Sequence, residues 1–180
     1  MLAVETGELA AGVSSVARRR GESLGAALAR AIDVGALGHV EQLETRVLRG
    51  GALVTAYLGL ARRALGAPPA TRDELELVDA ARARLRAKLS YTNVGFALAP
   101  DTFTISELRE MYVAALGHDV SATNLQRVLL RRGVLRRVEG QRAPGRAGGR
   151  PAALFEFASP RYAITDEFAA LRPPGSRASG

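Results

Sequence analysis

Thr104-Ile105-Ser106-Glu107 places a hydroxyl three residues ahead of a glutamate at the head of an amphipathic run. That spacing is a capping box, in which two orphan backbone donors are satisfied reciprocally, and it predicts a helix start. Ile105, Leu108, Tyr112, Ala115 and Leu116 would form its buried face. Gly117-His118-Asp119-Val120 then turns the chain, and Ser121 caps a second helix, ATNLQRVLLRR, that ends at Gly133. Leu125, Val128 and Leu129 would point inward, leaving Thr123, Asn124, Gln126, Arg127, Arg131 and Arg132 for other faces. Val134-Leu135 and PAALFEFA read as two strands flanking a glycine-rich loop, Gly140 to Arg150, that carries Arg142, Arg146 and Arg150. The order is helix, turn, helix, wing.

Charge falls on the same stretch. Residues 121–150 hold eight arginines against Glu139 alone, a net +7, while the rest of the chain sums to zero. The whole formal charge of +7 therefore sits on one helix and the wing after it. Such confinement is the footprint of a nucleic-acid surface. A solvated arginine-rich face is the alternative, since Lys88 is the only lysine, but an overall preference for Arg does not explain the concentration in one segment.

The side chains on the second helix suit base reading. Asn and Gln can bind adenine bidentately, Arg can bind guanine, and hydroxyls can take phosphates or base edges. A recognition helix enters the major groove N-terminal end first, which brings forward Thr123, Asn124, Gln126 and Arg127. Arg131, Arg132 and the wing arginines would supply phosphate contacts, or reach a narrow minor groove. The glycines between the strands do not form a phosphate cradle, because no Gly-x-x-x-x-Gly-Lys pattern and no following helix accompany them.

Other chemistries find little support. No cysteine excludes a disulfide framework, a thiolate nucleophile and Cys-ligated zinc. His39 and His118 stand far apart without a carboxylate cluster of metal-ligand spacing, so neither a catalytic nor a metal site is assigned. The longest apolar run, Ala52 to Ala61, is too short to span a bilayer, and residues 1–13 lack the basic start of a secretory signal. A cytoplasmic protein with no membrane partner and no cofactor is expected.

Upstream, residues 1–16 suggest no element. Ser23 can cap a helix with Leu24, Ala27, Leu28 and Ala31 on one side, and HVEQLETRVL and ALVTAYLGLA flank Gly50-Gly51 as a hairpin. A helix and a hairpin are too little to close a sheet domain. Gly66, Pro68 and Pro69 mark a boundary. Thr71 or Asp73 then caps a helix to about Tyr91, with Leu75, Val78, Leu85 and Leu89 as its apolar stripe and Arg82, Arg86 and Lys88 on other faces. Phosphate contact and simple core support both stay open for it. The apolar segment from Asn93 to Leu98 is expected to be buried.

GESLGAALARAID, HVEQLETR and TAYLGLA resemble the middle of a Nudix domain. Aligned on Glu22, the Nudix box places Arg30 correctly, but its next glutamates fall on Ala31, Val34 and Gly35, its opening glycine falls on Val16, and Asp33 lies one residue early. Clustered carboxylates must hold Mg²⁺ against a diphosphate, and one acid cannot replace the set. The expectation is a shortened segment that is not an enzyme. LRAKLSYTNVGFAL, FTISELREMYVAALG, VSATNLQRVLLRRGVL and GRPAALFEF resemble the C-terminal winged-helix domain of Nudix-related transcriptional regulators of the NrtR type. That resemblance implies a repressor of NAD-metabolism genes, a homodimer on a palindromic double-stranded DNA operator, and an ADP-ribose-like effector, although most of the fold that would hold the effector is missing here. It also carries the DNA-contacting role to the helix from Thr123 to Arg132 and to the wing arginines.

The expected fold class is α+β, a winged helix-turn-helix preceded by a truncated Nudix-like helix and hairpin. The expected organisation is a degenerate Nudix-like segment over 1–65, a linker over 66–73, the DNA-binding domain over 74–172 and a disordered tail over 173–180. Two alternatives from other classes are a working Nudix hydrolase and a non-catalytic relic that joins intact relatives in mixed dimers.

Overall fold

The computed structural model describes residues 1–143 and 151–166. It opens with a hairpin where the sequence suggests nothing: β1 (Leu2–Glu5) pairs antiparallel with β2 (Glu8–Ala11). Thr6 and Gly7 make the turn with φ of 48° and 80°. Two successive positive values match the twist of a two-residue hairpin, and Thr-Gly lacks the Asn or Asp that usually announces one. Helix α1 (Leu24–Ala31) follows, with the Ser23 hydroxyl accepting the Ala26 N–H at 3.1 Å. Then β3 (His39–Val47) and β4 (Leu53–Leu60) pair antiparallel across the Gly-Gly turn, with a bulge between Gln42 and Glu44.

Leu2 lies opposite Leu60, which joins β1 parallel to β4 and gives one sheet ordered β2-β1-β4-β3. A helix and one hairpin are indeed too little to close a sheet; the expectation that residues 1–16 form no element is corrected by the first eleven residues, which supply the other two strands. Leu2, Leu58 and Leu60 are fully buried in consequence. Val13 and Ala67 exchange backbone hydrogen bonds of 2.6 and 3.1 Å, so the end of this hairpin pins the Pro/Gly-rich stretch that follows β4.

Helix α2 (Arg72–Tyr91) starts in a second capping box, Thr71 with Glu74. Its buried stripe is Val78, Ala81, Leu85, Lys88 and Leu89, which differs from the expected stripe at three places, Ala81 being one. Leu75 is half exposed, and Lys88 is buried. Lys88 reaches Glu41 on β3 at 2.7 Å and the Tyr162 hydroxyl at 2.9 Å, with its ammonium 4.5 Å from the Tyr162 ring centre. His39 stacks on Tyr162 at 5.0 Å and lies 3.3 Å from the same Glu41 carboxylate. Burial pushes the Glu41 pKa up, but hydrogen bonds from Lys88 and His39 outweigh it and hold the carboxyl below its ordinary value of 4.5. The stability this lends is complete above the ordinary value and is lost as pH falls through the depressed one. Acid titration of the unfolding free energy should therefore show a falling limb below about pH 4.5 that Glu41→Gln flattens. An identical limb in the variant would remove this assignment.

A buried 3₁₀ turn, Val94–Ala97, leads into the winged-helix region, as the apolar segment predicts. Phe103 then exchanges backbone hydrogen bonds of 2.9 and 2.8 Å with Phe155, a short strand pairing that no sequence signal announces. Helix α3 (Ile105–Leu116) follows from the Thr104–Glu107 box and ends at Gly117, whose φ of 74° is the left-handed cap that favours glycine. Helix α4 (Ala122–Arg131), capped by Ser121, and the antiparallel strands β5 (Leu135–Arg142) and β6 (Ala152–Phe157) complete the order helix, turn, helix, wing. One continuous core runs from Leu2, Leu58 and Leu60 through Leu85 and Leu89 to Leu108, Leu129 and Phe155.

Tyr112 sits in this core with a hydroxyl that has no hydrogen-bond partner among the described residues, and burial drives its pKa up against the weaker opposing effect of Arg132. Removing an unsatisfied buried hydroxyl saves its desolvation penalty. Tyr112→Phe should raise unfolding stability by about 1 kcal/mol in a denaturant titration, and a loss of stability would overturn that reading.

Candidate nucleic-acid interface

The turn before α4 is held from α3. The Arg109 guanidinium donates to the Val120 carbonyl at 2.8 Å and pairs with Asp119, whose carboxylate also accepts the Val120 N–H at 2.8 Å. The entry angle of α4 is thus set by one arginine that sequence reading passed over. Leu129 is fully buried, with Leu125 and Val128 partly buried beside it. Thr123, Asn124, Arg127 and Arg131 are exposed, and Gln126 lies half-buried at the flank of that face. Arg127 donates to the Asn124 side-chain carbonyl at 2.7 Å, one turn apart on the helix. This leaves the Asn124 NH₂ as a donor, and it orients the guanidinium without neutralising it.

Two of the expected contact residues are engaged elsewhere. Arg132 points inward: its guanidinium donates to the Ser90 and Thr92 carbonyls at 3.2 and 3.0 Å and to the Thr165 hydroxyl at 3.1 Å. Arg142 lies within β5, not in the loop, because the ladder continues past a bulge between Val138 and Gln141. Its guanidinium pairs with the Glu107 carboxylate of the α3 capping box. Arg136 likewise pairs across the wing with Glu156 at 2.5 Å. Arg146 and Arg150 lie outside the described residues, as does the tail from 173.

Charge without an acidic partner among the described residues of this segment is therefore concentrated on Arg127, Arg131 and Arg137. Arg137 faces the helix side of the wing, directly opposite the buried Phe155. It is the functional candidate the sequence missed; period-2 alternation from Leu135 could have placed it there. His118 is exposed in the turn, away from any metal-ligand set among the described residues. In the N-terminal part, Glu22 accepts a two-pronged contact from Arg30 at 2.8 and 2.9 Å and the Arg19 N–H at 2.8 Å. Arg30, and then the Arg19 N–H, hold its carboxyl down to about 2.

A capped helix, a left-handed glycine turn, a second helix with an exposed polar face and a two-stranded wing define a winged helix-turn-helix protein of the α+β class. Residues 95–157 match the family model described as the NrtR DNA-binding winged helix domain. The ADPR responsive transcriptional repressor NtrR of Acinetobacter baylyi is 34% identical over 90 residues, covering 50% of this chain and 35% of the repressor. The chain thus spans about a third of the length of that curated relative.

Shewanella oneidensis NrtR complexed with a 27mer DNA superposes with a TM-score of 0.65 at 22% identity, covering 88% of this chain and 90% of that one. Shewanella oneidensis NrtR solved separately gives 0.58 at 26%, covering 77% and 74%. A MutT/nudix family protein from Enterococcus faecalis gives 0.54 at 16%, covering 79% and 72%, a likeness of fold. Among the described residues no helix is long and apolar enough to cross a membrane.

Proposed function

We propose that this chain is a sequence-specific DNA-binding transcriptional regulator, a repressor, that inserts α4 into the major groove of double-stranded DNA. The observation that carries the reading is the exposed face of Thr123, Asn124, Arg127 and Arg131 on a helix whose entry turn is clamped by Arg109. The family of the matched domain and the DNA-bound Shewanella NrtR of similar fold support it. Asn124 and Arg127 read base edges, with Thr123 and Gln126 flanking them, while Arg131, Arg137, Arg146 and Arg150 hold phosphates. The operator is palindromic and the regulator a cytoplasmic homodimer, with an ADP-ribose-like effector by analogy with the named relative. Hydrolysis is not part of this reading: Glu22 is engaged by Arg30 and Arg19, and Ala31, Val34 and Gly35 stand where the Nudix box needs glutamates.

Selection of bound duplexes from a random pool at near-physiological salt tests it, and one palindromic motif is the expected result. On that duplex, Arg131→Ala should weaken binding to every sequence and reduce the salt slope by about one, whereas Asn124→Ala should alter base preference. Binding without any motif, or equal losses on selected and random duplexes for both variants, would defeat the base-reading assignment.

A further inference from the structure

The guanidinium of Arg132 occupies a place where a helix end needs donors. The last carbonyls of an α-helix have no partner within the helix, and those of Ser90 and Thr92 at the end of α2 lie within reach of the Arg132 guanidinium. Arg132 serves Ser90 and Thr92. Tyr91 is served by the Thr165 and Asp166 N–H groups at 2.8 and 3.1 Å. Thr165 also accepts two contacts from Arg132, at 3.1 and 2.5 Å, so the chain after the wing and the end of α4 share one knot.

The segment from Ser159 to Asp166 is fastened along its length. Asn93 donates to the Arg161 carbonyl at 2.8 Å and accepts the Ala163 N–H at 2.7 Å, and Ile164 bridges to Thr92. At its near end Tyr162 meets Lys88, which pairs with Glu41 of β3. One short strap thus runs from the N-terminal sheet to the last turn of the helix that carries the exposed polar face.

We propose that Arg132 is a positioning residue which, with Thr165 of this strap, locks the end of α4 onto the carbonyl end of α2 and so fixes the pose of Thr123, Asn124, Arg127 and Arg131. The proposal rests on the DNA-binding reading for its consequence in affinity, but not for its consequence in the free protein. It removes Arg132 from the phosphate contacts. Lysine can replace arginine as a point charge but cannot reproduce a planar fork that reaches two carbonyls and a hydroxyl.

The test uses the full chain with Arg132→Lys, Thr165→Val, Thr165→Ser and Tyr162→Phe. Hydrogen exchange is followed over 105–116 and 122–132, and binding is measured to the selected duplex and to a scrambled duplex of equal length. Thr165→Val should speed exchange over 122–132 by about tenfold and leave 105–116 unchanged, and Thr165→Ser should restore protection. Arg132→Lys should weaken the selected duplex by about tenfold and the scrambled one by less than about twofold, with the salt slope kept. Tyr162→Phe should give a smaller change of the same kind. Wild-type binding by Arg132→Lys, or unchanged exchange over 122–132 in Thr165→Val, would overturn the proposal. If the unmodified protein binds no duplex, the DNA-binding reading fails, while the exchange data still decide whether Arg132 and Thr165 hold the helix.

Discussion

Phe103→Ala should destabilise the protein by about 3–5 kcal/mol in a denaturant titration, the range for truncating a fully buried aromatic. Phe103 is 1% exposed, and its ring lies 5.5 Å from that of Phe157 at a 60° tilt. Its backbone holds Phe155 in both directions, so the residue joins the wing to the start of α3. The ring fills the space that keeps this short pairing in register. A loss below about 2 kcal/mol would mean that the site collapses around the smaller side chain, and that this joint contributes less than its burial implies.

Asn93→Ala should cost about 3 kcal/mol and free the chain after the wing to limited proteolysis. The side chain is 4% exposed, accepts the Ala163 N–H at 2.7 Å and donates at 2.8 Å to the Arg161 carbonyl, which the Ser159 hydroxyl reaches only at 3.4 Å. Alanine strips the Ala163 N–H of this acceptor and leaves the Arg161 carbonyl only the longer Ser159 contact, in a partly buried place where lost partners are costly. Asn93→Asp should not rescue, because a carboxylate can accept from Ala163 but would set negative charge against the Arg161 carbonyl. Wild-type stability in either variant would show that the segment is held without the Asn93 side chain, by its backbone bonds and the Lys88–Tyr162 and Arg132–Thr165 contacts.

The helix-turn-helix was legible because its ends are written in short-range chemistry. Thr104 with Glu107, Gly117 and Ser121 each satisfy backbone groups a few residues away, so sequence spacing carries the information. What escaped was non-local or weakly encoded. The Phe103–Phe155 pairing joins residues far apart in the chain, and β1 and β2 turn on Thr-Gly. Lys88 is charged, and only its meeting with Glu41 and Tyr162 makes its burial tolerable. Arg132 is a different kind of miss. It stands three residues after Leu129, four after Val128 and seven after Leu125, on the same stripe as the buried leucines. Helical periodicity alone placed it inward, and its charge drew the reading outward. Arg142 shows the opposite limit, since nothing local indicates that Glu107 would be its neighbour across the wing.

The double engagement of Glu107 has an evolutionary consequence. One carboxylate oxygen accepts the Thr104 N–H at 2.8 Å and the other holds Arg142, so every replacement that unmasks this arginine, except Gln, also opens the cap of α3. A drift toward indiscriminate affinity for polyanions is therefore coupled at this position to a fitness penalty in folding, typically about 1 kcal/mol for a lost cap. Glu156, which masks Arg136, stands in mid-strand and carries no such second duty among the described residues. Lineages that gain promiscuous binding should do so more readily through position 156, since at position 107 every change but Gln also loosens the start of the helix.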